Sequence, residues 1–155
     1  MLLWRICPRA ECPRAFAGAD TPGRWNQAGT RLVYASESRA LAALEYLAHA
    51  EDGDEDTELV AIAGALPDDA SVERVLPEDL PQGWDAPEHP QELRRLGSTW
   101  AESRRTAVLS VPSALVPGES NLLLNPAHPE ARQLSVHAVE PFRLDPRLTR
   151  GKTKG

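Results

Sequence analysis

The sequence predicts a single domain of the α+β class. Two stretches have helical periodicity, and six short segments have the apolar or alternating character of strands, at residues 2–6, 31–35, 59–66, 106–111, 122–124 and 133–139. The helices do not alternate with the strands as in a βαβ series, and they exclude an all-β domain. A length of 155 residues suits one domain with one substantial core.

The first elements are two strands. Residues 2–6 form a short apolar run. Residues 31–35 alternate, with Leu32 and Tyr34 on one face and Val33 on the other. This alternation predicts a second strand.

A helix is predicted to follow directly, over residues 36–50, with Ser36 or Ser38 as its N-cap. The acidic run at 51–56 is expected to be a solvated loop. Residues 59–66 then predict a buried strand.

The second half begins with a proline-rich segment, residues 67–90, for which we expect an irregular course with short helical turns. A helix is predicted over 91–103. The last third is rich in strands, and residues 133–139 alternate so that three side chains are expected to share one face, namely Leu134, Val136 and Ala138.

Glu45 stands out because it lies on the apolar face of the first helix. On a helical wheel it is close to Leu41, and the arc between Leu41 and Ala48 is otherwise apolar. Two interpretations are open. The carboxylate either sits at the edge of the apolar stripe and extends to water, or it has a functional role.

Charge and hydropathy exclude two classes of function. The net charge of −6 argues against direct binding to duplex DNA, because neutralising phosphates requires a basic surface. No apolar run is long enough to span a bilayer, and the apolar residues at the start are too few for a signal peptide. We therefore expect a cytoplasmic protein with no membrane contact.

The cysteines and histidines do not predict a metal site. Cys7 and Cys12 have a spacing that would suit half a zinc site, but no second Cys or Cys/His pair completes four ligands. The four histidines are scattered. We expect free thiols and no metal.

Several short strings, taken together in their order and spacing, resemble the RES-domain proteins, the toxin halves of bacterial RES–Xre toxin–antitoxin pairs. The strings run along nearly the whole chain: Trp4-Arg5-Ile6, Phe16-Ala17-Gly18, Gly23-Arg24-Trp25-Asn26, Gly29-Thr30, Val33-Tyr34-Ala35-Ser36, Ala42-Ala43-Leu44-Glu45, Leu96-Gly97-Ser98-Thr99-Trp100, Val111-Pro112-Ser113 and residues 121–126. One departure is Pro22, where the family usually has a second glycine; proline stiffens this turn.

The resemblance implies a fold related to the ADP-ribosyltransferases, with two small antiparallel sheets around an NAD cleft and flanking helices. It assigns residues 1–145 to the RES domain and leaves residues 146–155 as a polar, basic tail, which we expect to be flexible. It also implies a partner, an antitoxin of the Xre type that carries a helix-turn-helix DNA-binding part and covers the active site.

The implied activity requires a carboxylate and a phosphate anchor. Breaking the nicotinamide–ribose bond of NAD+ develops positive charge on the ribose, which Glu45 is expected to stabilise while it holds the 2′-hydroxyl. Arg24, in a glycine-flanked turn, is expected to bind the pyrophosphate, and Arg5 is a second candidate. Without the resemblance, Arg24 would be a surface residue of an ordinary turn.

Three further residues have alternative roles. Tyr34 either stacks on nicotinamide and offers its hydroxyl, or is a core tyrosine. Ser113, which has no nucleophile-elbow motif around it, is expected to bind a phosphate or ribose or to orient Glu45, unless it only caps the turn after Pro112. Asn121 either binds polar groups of NAD+ or closes its own turn.

Two classes of function follow. The first is an enzyme that consumes NAD+ and transfers the ribosyl group to water, to inorganic phosphate or to a side chain of a target protein. Members of the family are assigned both to NAD breakdown and to protein ADP-ribosylation. The second is a module without catalysis that binds a nucleotide or a partner protein. A module that only binds has no chemical need for Glu45, which favours the enzyme.

Overall fold

The computed structural model describes residues 1–51 and 57–149 of the chain. These residues form a seven-stranded sheet with two longer α-helices, one short α-helix and three 3-10 turns, which confirms the α+β class. The strands are β1 Leu2–Pro8, β2 Val33–Ser36, β3 Leu59–Ala65, β4 Val72–Arg74, β5 Val108–Pro112, β6 Ser120–Leu124 and β7 Ser135–Phe142; the helices are α1 Arg39–His49, α2 Gln91–Ser103 and α3 Pro146–Thr149.

The sheet consists of two halves that meet at one point. The strand order is β4-β5-β6-β2-β1-β3-β7, and every neighbouring pair is antiparallel except β4 with β5. β1 pairs with β3 along its whole length, but with β2 only at Trp4 opposite Ser36. The two small sheets implied by the resemblance are therefore joined at one residue pair and separate beyond it.

The side chains of β2 alternate between two faces, as the sequence predicts. Val33 packs with Leu124 in one core, and Tyr34 packs against the core that contains Leu123 and Trp100. Both faces of this central strand therefore contact apolar residues, and the strand has little freedom to shift.

The two predicted helices are confirmed. α2 spans residues 91–103, as expected. α1 begins at Arg39, and Ser38 is its N-cap, since the Ser38 hydroxyl accepts a hydrogen bond from the Leu41 amide at 3.1 Å. Ser36, the alternative cap, is still part of β2 and bonds elsewhere. No helix in the described ranges is long and apolar enough to cross a membrane.

Part of the predicted irregular segment is a strand. Residues 67–90 do contain a short 3-10 turn, Pro77–Asp79, but β4 also lies within them and pairs in parallel with β5. The strand has only three residues, and its pattern is not apolar. Its pairing with a strand more than thirty residues later is what stabilises it.

The prediction that Leu134, Val136 and Ala138 share one face of the last strand is wrong. The register of β7 against β3 shifts so that Ala138 lies opposite Ala63 and Val136 lies opposite Gly64, which leaves His137 as an extra residue. Such a bulge interrupts the alternation of side chains. Val136 is accordingly 57% exposed, whereas Leu134 packs partly against the core.

The predicted tail begins with an ordered turn. Residues 146–149 form α3, and the Asp145 carboxylate accepts hydrogen bonds from the amide and the guanidinium of Arg147. Residues 150–155, like residues 52–56 of the predicted acidic loop, lie outside the described residues.

α2 packs directly on the backbone of the turn that precedes β2. A Cβ atom added to Gly97 would lie 1.7 Å from the carbonyl oxygen of Trp25, so only glycine permits this approach. At the next residue of α2, the Ser98 hydroxyl accepts a hydrogen bond from the Gln27 amide at 2.9 Å. Trp25 itself is buried. The turn at residues 23–27 is thereby fixed on the helix.

We predict that Gly97→Ala destabilises the protein by about 1–3 kcal/mol or more, because the added methyl group must displace backbone rather than a flexible side chain. Urea unfolding measures this. Thr99→Ala, on the exposed face of α2, is the control and should change stability by less than about 0.5 kcal/mol. Equal effects of the two substitutions would contradict the close contact.

Candidate functional site

A cleft of about 390 Å³ opens where β1 and β2 stop pairing. Its walls come from β1, β2, α1, the turn before β2, and residues between the end of β5 and the start of β6. Five of the six residues singled out in the sequence line it: Arg5, Arg24, Tyr34, Glu45 and Asn121. The sixth, Ser113, is 3% exposed and lies behind the wall.

The Glu45 carboxylate is held by neutral donors. Its Oε1 accepts hydrogen bonds from Asn121 Nδ2 at 2.6 Å and from the Ser113 hydroxyl at 3.3 Å. Among the described residues Oε2 receives no hydrogen bond, and it is not buried from solvent. None of the ion pairs among the described residues involves Glu45, and one of its carboxylate oxygens is available to a ligand in the cleft.

Asn121 connects Glu45 to β2. Ser36 lies opposite Asn121 in the pairing of β2 with β6, and the Ser36 hydroxyl donates to Asn121 Oδ1 at 2.8 Å. This bond fixes the amide so that its nitrogen points to Glu45. The side chain therefore has a role that neither sequence interpretation included, and Ser36, which the sequence suggested only as a helix cap, is a further residue of the site.

Ser113 follows β5 and has two of the contacts considered for it. Its hydroxyl oxygen accepts hydrogen bonds from the amides of Leu115 and Val116, both at 3.1 Å, and so caps the turn after Pro112. The hydroxyl proton then points to Glu45. Since Ser113 does not line the cleft, the geometry favours orientation of Glu45 over contact with a ligand.

Arg24 faces Glu45 from the opposite wall. Its Nη1 donates to the carbonyl oxygens of Trp84 at 2.7 Å and Ala86 at 2.9 Å, so the segment at residues 84–86 orients the guanidinium. Partial burial lowers the pKa of Arg24, and the Glu45 charge opposes this shift. No hydrogen bond from Nη2 or Nε is formed within the described residues, which leaves these groups for a ligand.

The turn that presents Arg24 is built around Asn26, a buried residue that sequence reasoning did not single out. Its Nδ2 donates to the carbonyl oxygens of Thr21 and Thr30, both at 2.9 Å. Its Oδ1 accepts from the Gly23 amide at 3.0 Å. α2 adds a contact, because Arg94 Nε donates to the Gly23 carbonyl at 2.9 Å. The only sequence signal was the string in which Asn26 occurs.

Tyr34 contributes its ring rather than its hydroxyl. The hydroxyl donates to Asn26 Oδ1 and accepts from the Trp25 amide at 3.1 Å, so it is already engaged. Burial raises the pKa of Tyr34 to about 12, and it stays neutral at physiological pH. The ring lines the cleft, where a flat ligand could stack on it.

Arg5 extends from β1 into the same cleft. One of its Nη1 hydrogens goes to the Ala15 carbonyl oxygen, and no carboxylate pairs with it among the described ion pairs. Burial lowers the pKa of Arg5. The cleft thus contains one carboxylate and two guanidiniums that are not paired with each other.

Potential metal ligands do not cluster among the described residues. In residues 1–51 and 57–149, no group of three or more His, Cys, Asp or Glu side chains could hold a metal ion. Both cysteines are free thiols, and burial raises the pKa of Cys7 to about 11.

Comparison with known proteins identifies the family. The RES domain matches residues 2–145. The chain belongs to the RES-domain toxins. It is 44% identical to the Prs ADP-ribosylating toxin of Sphingobium sp. (strain YBL2), over 95% of this chain and 96% of that protein. It is 37% identical to the Toxin Res of Yersinia enterocolitica, over 96% of this chain and 99% of that protein.

The fold is also similar to that of a chain in a solved toxin–antitoxin complex. The M. tuberculosis MbcT–MbcA toxin–antitoxin complex contains a chain that superposes with a TM-score of 0.66, over 92% of this chain and 84% of that chain. At 15% identity this match shows the fold alone. The expected family and the ADP-ribosyltransferase-like α+β fold are confirmed, while the roles of the individual site residues stay predictions.

We predict that Asn121→Asp destabilises the protein more at pH 7.5 than at about pH 4.5. The introduced carboxyl would lie near Glu45, and like charge raises the pKa of the introduced group above its unfolded value near 4. A group with a raised native pKa stabilises below the unfolded pKa, and this stability is lost as the pH rises through the native pKa.

Urea unfolding at the two pH values measures the difference. Gln133→Glu, which adds a negative charge at an exposed position, is the control. A stability loss for Asn121→Asp that is the same at both pH values, once the control is subtracted, would show that Asn121 does not face the carboxylate as described.

Proposed function

We propose that this toxin cleaves the nicotinamide–ribose bond of NAD+. The observation that supports this most directly is the fixed Glu45 carboxylate, with one oxygen held by Asn121 and Ser113 and the other open to the cleft. A carboxylate that is fixed by two neutral donors and has one oxygen open to a cleft is well placed to bind a ligand.

The chemistry needs such a carboxylate. As the bond to nicotinamide breaks, positive charge develops on the ribose, and the departing nicotinamide is neutral and needs no acid. Glu45 Oε2 would accept a hydrogen bond from the 2′-hydroxyl of the ribose, and its charge would stabilise the developing cation. Asn121 and Ser113 act as positioning residues, because they fix the carboxylate before the reaction begins.

The other cleft residues supply binding. The free N–H groups of Arg24 and Arg5 suit the pyrophosphate, which guanidinium groups bind through paired hydrogen bonds. The Tyr34 ring offers a face for nicotinamide. This division assigns charge stabilisation to α1 and substrate binding to β1, β2 and the turn before β2.

The acceptor of the ribosyl group has three alternatives: water, inorganic phosphate, or a side chain of a protein. The first two deplete NAD+. The third is favoured by one specific observation, the 44% identity to a relative named for ADP-ribosylating Prs. The second class of function, a module that binds without catalysis, would have no use for the open oxygen of Glu45.

Product analysis distinguishes these reactions. The purified protein is incubated with NAD+, with and without phosphate, and with a cell extract as a source of target proteins. ADP-ribose with nicotinamide indicates hydrolysis, ADP-ribose-1″-phosphate indicates phosphorolysis, and label on a protein indicates transfer. Absence of all three products from folded protein would refute the proposal.

We predict that Glu45→Gln lowers turnover of NAD+ by about 10²–10³-fold while the affinity for NAD+ changes little, because the amide keeps the shape and loses the charge. Steady-state kinetics measures turnover, and calorimetry measures affinity. Glu102→Gln, an exposed substitution on α2, is the control. Undiminished turnover in folded Glu45→Gln would rule out the mechanism.

We further propose that a cognate antitoxin of the Xre type covers this cleft. The fold match to a toxin in a toxin–antitoxin complex supports the existence of a partner. A net charge of −6 makes this chain a poor DNA binder, so the helix-turn-helix of the partner would contact DNA. A carboxylate of the antitoxin, such as its chain terminus, could occupy Arg24 or Arg5 by the pairing that phosphate would use.

We predict that NAD+ and this antitoxin exclude each other, and that Arg24→Ala weakens the binding of both. Titration of antitoxin into the Glu45→Gln protein, with and without saturating NAD+, measures the competition without turnover. Arg104→Ala, which removes an exposed arginine at the end of α2, should leave both affinities unchanged. Antitoxin binding that is insensitive to NAD+ would refute the shared site.

A further inference from the structure

A second cavity, of about 680 Å³, adjoins the cleft and has no role so far. It lies between the separated ends of β1 and β2, beneath the 3-10 turn Arg9–Arg14. The two cavities share four lining residues, Arg5, Ala19, Leu32 and Tyr34, so they are adjoining parts of one opening.

We propose that this second cavity binds the adenosine monophosphate half of NAD+, with Arg5 on the pyrophosphate at the junction. The inference rests on the proposed function and assigns the part of the substrate that does not react. It also moves the main phosphate contact from Arg24 to Arg5.

Arg5 is the first reason. Its guanidinium is partly buried and lines both cavities, and burial lowers its pKa while the nearby Glu11 charge opposes this shift. Its one hydrogen bond within the described residues goes to the Ala15 carbonyl. No carboxylate forms an ion pair with Arg5 among the described residues, so its remaining donors are available to an anionic ligand.

The second reason is that backbone carbonyls already occupy part of the Arg24 guanidinium. Both hydrogens of Arg24 Nη1 are engaged by the Trp84 and Ala86 carbonyls, so this residue has fewer free donors. It also lines only the first cavity, on the side of Glu45. Arg24 is therefore better placed beside the reacting half of the substrate than at the junction.

The shape of the opening is the third reason. A dinucleotide is two nucleotides joined at a pyrophosphate, and here two cavities join at a guanidinium. Glu45 lines only the first cavity, which assigns the nicotinamide half to it. The second cavity offers apolar contacts at Ala10 and Leu32 for a base and polar groups at Glu11 and Arg14 for a ribose.

Binding of a remote half of the substrate contributes to catalysis at the reacting half. The proposal therefore predicts that nicotinamide mononucleotide, which keeps one phosphate but lacks the adenylate, is cleaved with a kcat/KM about ten- to a hundredfold below that of NAD+, because the contacts in the second cavity are lost. Arg5→Gln should lower the kcat/KM of both nucleotides, because each of them places a phosphate at the junction.

A steric variant tests the cavity itself. Ala10→Trp places a bulky ring at an exposed position that lines only the second cavity, and it should reduce the ratio of the NAD+ to the mononucleotide kcat/KM. Ala17→Trp, an exposed position near the same turn that lines neither cavity, is the matched control. A ratio that is unchanged in Ala10→Trp overturns the proposal.

A binding measurement separates failure of this proposal from failure of the proposed function. If the protein cleaves neither nucleotide, even with a cell extract as a source of acceptor proteins, the NAD+-cleaving function is refuted, and calorimetry with ADP-ribose still tests the second cavity. Weaker ADP-ribose binding by Ala10→Trp than by Ala17→Trp supports the assignment. Equal binding by the two variants, or no binding by the unaltered protein, overturns it.

Discussion

The contact between the α2 backbone and the backbone of the turn at residues 23–27 determines where the rest of the site lies. Gly97 allows the helix to meet the Trp25 carbonyl without a side chain between them. Ser98 and Arg94 then hydrogen-bond to the same turn. Because the turn is fixed on a helix that is itself packed in the core, the Arg24 side chain leaves it in one direction, and the carbonyls of residues 84–86 complete its orientation.

The cleft exists because the two halves of the sheet are joined at only one residue pair. Beyond Trp4 and Ser36 the strands β1 and β2 do not pair, and Arg5 and Tyr34 face the resulting gap from its two sides. The hydroxyl of Tyr34 is engaged by Asn26, so the gap is lined on that side by a ring. The strand separation that weakens the sheet is thus also the source of the binding volume.

Local patterns in the sequence predicted the elements and the placement of Glu45. The spacing of the apolar residues was sufficient to predict α2 and to assign the side chains of β2 to two faces. The position of Glu45 on an apolar arc of the first helix marked it as unusual. The contact from Ser36 through Asn121 to Glu45 could not be predicted, because it depends on the register between strands 85 residues apart in sequence. β4 was missed for the same reason.

The charges of the site are arranged so that they do not neutralise one another. Glu45 is held by the neutral donors of Asn121 and Ser113, while Arg24 is held by backbone carbonyls, so no ion pair forms between them within the described residues. The cleft therefore presents one unpaired carboxylate and two unpaired guanidiniums. This arrangement is complementary to a ligand that develops positive charge at one end and has negative charge at the other. The proposed substrate, NAD+ undergoing cleavage, would have this distribution, with its cationic ribose beside Glu45 and its pyrophosphate towards the arginines, and a substrate lacking either charge would leave one side of the cleft unsatisfied.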